Sequence, residues 1–135
     1  MTRRGNDGII ATELVLAVGL LLLPVVLLVT SLPQWSERQH AAIVAARDAA
    51  RAAANDWPGD GSLDGQRVAT EVVAAHGIPA GDVRVTVAPA PDRGGVLNVT
   101  VTIRMPAIAV PLIGRAAAWS WSAHAGVRID DYRSR

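Results

Sequence analysis

The sequence predicts an α+β protein: an amino-terminal transmembrane helix continuing into an alanine-rich stalk helix, then a small head with one helix and a three-stranded antiparallel sheet. Three observations carry that prediction. Residues 14–29 are apolar apart from Gly19 and Pro24, residues 35–55 hold many alanines but neither Gly nor Pro, and three later stretches alternate apolar with polar residues. Alanine is the strongest helix former, and a period of two is the mark of a half-buried strand.

The apolar run comes first. Between Ile9 and Leu32 the only charged residue is Glu13. A bilayer core about 30 Å thick takes about 20 helical residues. Leu14 to Leu32 meets that length, provided the Thr30 and Ser31 hydroxyls bond back to the helix. Membrane helices tolerate a proline such as Pro24, whereas Pro33 is expected to interrupt the helix just beyond the membrane. Arg3 and Arg4 precede the run, which by the positive-inside rule places the amino terminus in the cytoplasm and everything from Pro33 outside. A secretory signal peptide is the alternative, but its apolar stretch would be only about 7–15 residues long and end in a small-residue cleavage site. This run is longer, contains an acid, and is followed by Thr30-Ser31-Leu32-Pro33, so a retained anchor is expected. The expected segments are a leader (1–8), a transmembrane helix (9–32), a stalk helix (33–56) and an extracytoplasmic head (57–135).

In the stalk, Ala41, Ala45, Ala49 and Ala53 form one row at helical spacing, and Ala42, Ala46, Ala50 and Ala54 form another. Small-residue rows let neighbouring backbones approach closely. Two readings stay open: a packing surface for sister subunits, or packing against the protein's own sheet. Trp35 is expected to anchor the chain at the membrane interface. Arg47 and Arg51 share a face, with Asp48 as a local partner for Arg51.

Turn formers crowd residues 56–65, and Asp64 is expected to cap a helix from about Gly65 to His76 that Gly77 closes. Val68, Ala69, Val72 and Val73 lie on one face of that helix. The strands follow. Val83, Val85 and Val87 oppose Arg84 and Thr86, and Leu97, Val99, Val101 and Ile103 oppose Asn98, Thr100, Thr102 and Arg104. Trp119, Trp121, Ala123, Ala125, Val127 and Ile129 oppose Ser120, Ser122, His124 and Arg128. Residues Asp92-Arg93-Gly94-Gly95 are expected to join the first two strands as a hairpin. Trp119 and Trp121 should be the largest core residues. The proline-broken apolar link Pro106–Arg115 is expected to cross over the sheet and bury itself; the alternative is an exposed patch for a partner or the membrane surface.

The chain has 135 residues, half of them hydrophobic, and a formal charge of +1. So small a charge offers no field to attract nucleic acid or an anionic substrate, and neither is expected as a partner. The absence of cysteine excludes disulfides, thiolate catalysis and cysteine-ligated zinc. His40, His76 and His124 fall on different elements without ligand spacing, and the Gly59-Asp60-Gly61 and Gly94-Gly95 turns lack the Gly-Lys-Ser/Thr of a phosphate loop. Asn98-Val99-Thr100 matches a glycosylation sequon but lies mid-strand. No enzyme activity, metal, cofactor or small-molecule substrate is expected.

The stretch Gly8-Ile9-Ile10-Ala11-Thr12-Glu13 stands where the polar leader meets the apolar run. Further on the chain reads Ala45-Ala46-Arg47-Asp48-Ala49-Ala50-Arg51-Ala52-Ala53-Ala54. On these residues, from Arg3 to about Asn55, the chain resembles the type IV pilin superfamily and more closely the TadE-like pseudopilins of tight-adherence pili. The resemblance implies cleavage between Gly8 and Ile9 by a membrane-embedded prepilin peptidase. It also implies that Glu13 pairs with an Ile9 amine during assembly. The implied partners are the lipid bilayer, the peptidase, other pilin and pseudopilin subunits and the pilus assembly platform. Glu13-Leu14 stands where the much shorter major pilins usually have Glu-Tyr, which implies a minor subunit of an adhesion pilus or related secretion filament. Its implied location is the cytoplasmic membrane and, through the pilus, the bacterial cell surface. Two other readings remain: a single-pass envelope domain that binds a protein or wall component without assembling, and an exported enzyme with an unrecognised site. Glu13 itself has a plainer reading, as an interfacial residue snorkelling to the headgroups.

Overall fold

A computed structural model of the chain describes residues 7–59, 61–90, 92, 94–107, 109–110, 114–115 and 118–130. Arg3 and Arg4 of the leader, Arg93 of the predicted hairpin, and residues 108 and 111–113 of the apolar link lie outside the described residues.

One helix, α1 (Asp7–Asn55), takes in both the apolar run and the alanine-rich stretch. Pro24 and Pro33 lie inside it, so Pro33 does not interrupt it as expected. A proline removes one N–H and crowds one carbonyl, which a long helix with strong formers on both sides can absorb. The hydroxyls of Thr30 and Ser31 do bond back, donating to the Val26 carbonyl at 2.9 Å and the Leu28 carbonyl at 2.8 Å.

The chain packs as two units. In the first are α1 as far as Pro33 and residues 108–116. Within those residues β3 (Ala109–Val110) and β4 (Gly114–Arg115) pair antiparallel, Ala109 opposite Arg115. The second unit holds Gln34–Ala107 and the chain from Ala117 onward. Its sheet has the order β1-β2-β5, from β1 (Val83–Ala88), β2 (Val96–Arg104) and β5 (Ser120–Arg128), all neighbours antiparallel. The apolar link thus carries β3 and β4, paired with each other, and the strands it joins, β2 and β5, are antiparallel neighbours.

Period-two alternation holds along all three strands. Leu97, Val99, Val101 and Ile103 are fully buried, flanked by the half-buried Val83, Val85 and Val87 on β1 and by Trp121, Ala123 and Ala125 on β5. The same core contains Ala41, Ala45, Ala49 and Ala53 together with Ala42, Ala46, Ala50 and Ala54. Of the two readings left open for these rows, burial within the domain's own core is the one observed. Residues 34–55 thus continue the apolar helix and bury their alanine rows in the core of the α+β unit.

Trp119 and Trp121 are not the largest core residues. Trp119 is 41% exposed and Trp121 only half-buried, while Leu97, Ile103, Met105, Val73, Val99 and Val101 are the largest fully buried side chains. The alternation gives Trp119 the correct parity, but it precedes β5, at the end of the sheet. There its backbone carbonyl accepts from the Met105 N–H at 2.8 Å.

The second helix, α2, spans Ser62–Ala75, starting earlier than expected. Its N-cap is Gly61, in the left-handed region at φ 60, with no side-chain cap bond, so Asp64 is a first-turn acid rather than the cap. The carboxy-terminal end is as expected. The Gly77 N–H donates to the Ala74 carbonyl at 2.9 Å and the Ile78 N–H to the Val73 carbonyl at 3.2 Å, with Gly77 at φ 68. That pair of bonds is a Schellman motif, and the buried Val73 and Ile78 supply its apolar contact. Between β1 and β2 the Gly95 N–H donates to the Asp92 carbonyl at 3.0 Å, with Gly94 at φ 75. The predicted turn is thus present, though set several residues beyond the end of β1.

Close approach of α2 to α1 is enforced at Gly61, where a Cβ would lie 2.7 Å from Ala53 Cα and 2.8 Å from its carbonyl carbon. Three alanine substitutions should therefore rank by thermal unfolding of the full chain in detergent. Gly81→Ala has open space and should change stability by less than about 0.5 kcal/mol. Gly77→Ala also has space but keeps its positive φ, and should lose roughly 1–2 kcal/mol. Gly61→Ala adds overpacking to a positive φ and should lose about 2–4 kcal/mol. Equal effects at Gly61 and Gly77 would show that α1 and α2 separate easily.

Candidate functional site

The expected site lies at the head of the apolar run. Gly8 and Ile9 lie in the first turn of α1, and Glu13 follows one turn later with its side chain exposed. Ile9 and Glu13 have i, i+4 spacing, so they share a helix face. Beyond Glu13 the helix presents Leu14, Leu16, Leu20, Leu21 and Leu22, all more than half exposed. An 18-residue window of this helix has a mean hydropathy of 2.8 and none of it is buried. Such a helix is long and apolar enough to span a membrane, and a signal sequence has the same properties. At 1.5 Å per residue, Leu14 to Leu32 rises about 28 Å, close to the thickness of a bilayer's hydrocarbon core.

At the start of the α+β unit the Trp35 and Trp119 rings meet edge to face, with centroids 6.0 Å apart and planes at 87°. Arg38, one turn after Trp35, donates from Nη1 to the Arg104 carbonyl at 2.7 Å and to Asp82 Oδ2 at 3.2 Å. That single guanidinium joins α1 to the carboxy-terminal end of β2 and to the short 3-10 turn Ala80–Asp82. No periodic pattern marks Arg38, because its two acceptors come from distant segments. Beside it an open groove of about 360 Å³ is lined by Asp82, Arg84, Thr102, Arg104 and Ser120.

The outer face of the sheet is polar. Thr102 and Ser122 hydroxyls share a hydrogen bond of 2.8 Å, and Thr100 Oγ1 lies 2.9 Å from His124 Nδ1. Asn98 of the sequon is exposed on this face, opposite Gly126. His76 Nδ1 lies 2.8 Å from the Val72 carbonyl at the end of α2, and His40 is exposed on α1, so the structure leaves the three histidines on separate elements. Among the described residues no group of three or more His, Asp or Glu side chains is placed to hold a metal ion.

No protein-family model, curated protein or solved structure matches the chain.

The exposed leucines require an apolar surrounding, since contiguous exposed apolar surface beyond a few hundred Å² marks a membrane or protein contact. Mass spectrometry of protein recovered from alkali-washed membranes should therefore find peptides from Leu14–Leu32. A mature chain that begins after Leu32 and washes off the membrane would identify the run as a removed signal sequence.

Proposed function

We propose that this chain is a minor pseudopilin that takes part in assembling a tight-adherence type IV pilus or a related secretion filament. The observation that carries the reading is the Gly8-x-x-x-x-Glu13 junction at the head of one helix. That helix first exposes an apolar run and then becomes the core of an α+β unit. In this reading the amino terminus is cytoplasmic, the apolar run crosses the membrane once, and the α+β unit lies outside.

Cleavage after Gly8 would leave Ile9 as the new amino terminus, with an ammonium at neutral pH. Glu13 would then sit one turn from both that cation and the positive end of the helix dipole, each opposite in sign to a side-chain carboxylate. In a filament the same carboxylate can meet the Ile9 amine of a neighbouring subunit. At the edge of an apolar phase an opposite charge lowers the desolvation cost of both groups. The pair would thereby fix the axial register of each subunit as it leaves the bilayer.

A second reading has its own support. The open sheet face with its Thr, Ser, Asn and His side chains is suited to hydrogen bonding, as a tethered domain that binds a protein or wall component would need. Assembly assays separate the two readings.

Coexpressed with the cognate prepilin peptidase, the chain should begin at Ile9 by intact-mass measurement; an intact Met1 start, or a cut after Leu32, contradicts the junction. Glu13→Gln keeps the side chain's shape and removes its charge. A hydrogen bond to a charged group contributes roughly 1.5–3 kcal/mol, so co-purification with other pilin subunits should fall by about tenfold or more while membrane insertion and cleavage persist. Wild-type piliation by Glu13→Gln would leave Glu13 as a snorkelling interfacial residue and favour the tethered domain.

Orientation is tested separately. Leu63 is 80% exposed on α2, so Leu63→Cys should react with a membrane-impermeant maleimide in intact cells, and Thr2→Cys only after permeabilisation. The reverse pattern would invert the topology and remove the filament reading.

A further inference from the structure

We propose that the groove between Arg84 and Arg104 is a docking site for the headgroup of an anionic phospholipid from the outer leaflet of the membrane that α1 crosses. The inference rests on the membrane-spanning reading of α1 and goes beyond it. Arg84 lies opposite Thr102 and Arg104 opposite Ser120 in the sheet register, so the two arginines are diagonal neighbours on the outer face, at its Trp119 end. Both are exposed, and with Thr102 and Ser120 they line a groove of about 360 Å³. Two guanidiniums and two hydroxyls form a donor-rich set suited to phosphate oxygens. The one acid in the lining, Asp82, is already engaged by Arg38 at 3.2 Å. The groove therefore carries a net positive charge despite that carboxylate.

Trp35 is the aromatic residue of the unit covalently nearest the apolar run. Within the α+β unit the Trp35–Trp119 ring pair and the Met105–Trp119 hydrogen bond hold Trp35, Met105 and Trp119 together. Trp35 is three residues beyond Leu32, so it lies within about 11 Å of the end of the apolar run even for a fully extended chain. The headgroup region is itself roughly 5–8 Å deep on each side of the hydrocarbon core. Tryptophans concentrate at that depth, and basic side chains beside them attract anionic lipid. The bound group is thus a lipid phosphate held by two arginines, with the tryptophan pair beside it at the interface. The contact would fix which side of the α+β unit meets the membrane.

The test reconstitutes the full chain in phosphatidylcholine vesicles carrying a matched fraction of either brominated phosphatidylcholine or brominated phosphatidylglycerol. The contribution of Trp119 is read as the difference in fluorescence between the wild type and Trp119→Phe. Brominated phosphatidylglycerol should quench it at least about threefold more than brominated phosphatidylcholine, and Arg84→Gln/Arg104→Gln should abolish the preference. Equal quenching by the two lipids, or a preference that survives the double substitution, overturns the inference while leaving the span intact. A chain that fails to float with vesicles overturns both. Loss of the preference on adding millimolar sn-glycerol phosphate would make the groove a site for a free phosphate and overturn the lipid assignment.

Discussion

The α+β unit depends on how closely two layers can approach one helix. From Ala41 to Ala54, α1 presents two adjacent rows of alanines, all of them nearly or completely buried. Alanine loses no side-chain entropy on burial and has the highest helix propensity, so these rows hold the helix together while adding almost no thickness. Bulk comes from the opposing surface, where Leu97, Val99, Val101 and Ile103 of the central strand are fully buried. The helix supplies a flat backbone surface and the sheet supplies the side chains that fill the space. Gly65 extends the same constraint to α2: a Cβ there would lie 3.3 Å from the Ala49 carbonyl oxygen and 3.1 Å from Val87 Cγ2. Helix, helix and strand meet closely around Gly65.

That constraint divides α1 into two chemically different halves. Before Pro33 its leucines and valines are exposed; after it, the alanines are buried. Exposed leucines in water would each forfeit roughly 1.5–3 kcal/mol of burial free energy, so this half is stable only against lipid or another apolar surface. Thr30 and Ser31 cover the change of surroundings by returning their hydroxyls to carbonyls of the preceding turn. Arg38 and the Trp35–Trp119 pair then begin the folded unit within two turns of Pro33.

Particular residues show why parts of this structure were legible and others were not. The strands were readable because one sheet face is buried and the other solvated, which writes a period of two into the chain. Gly77 was readable because a Schellman motif requires a positive φ at one position. Alternation does not reveal that Trp119 is exposed, because it specifies a face of the sheet and not how far the covering helix row extends along it. Gly61 was missed as the start of α2 because its role is a close approach to Ala53, a residue remote in local pattern. The alanine rows were ambiguous in principle: a small-residue ridge looks the same whether its partner is the same chain or another. The Gly8–Glu13 motif is a local pattern that a sequence can display, whereas Arg38, Arg84 and Arg104 are brought together only by the fold.

The burial of those alanines also narrows what a filament of such chains could use as contacts. Ala41, Ala45, Ala49 and Ala53 are occupied within the subunit, so under the filament reading the exposed apolar half of α1 must supply the helix packing between subunits. Leucine against leucine and leucine against lipid tail differ little in hydrophobic transfer, so leaving the bilayer for a bundle of sister helices need not oppose assembly. The same equivalence gives those contacts little preference for one axial offset over another. A directional interaction must then choose the register, and between Ile9 and Leu32 the only charged side chain available is Glu13. A single carboxylate in an otherwise featureless apolar surface is costly where it stands, and the filament reading gives that cost a use.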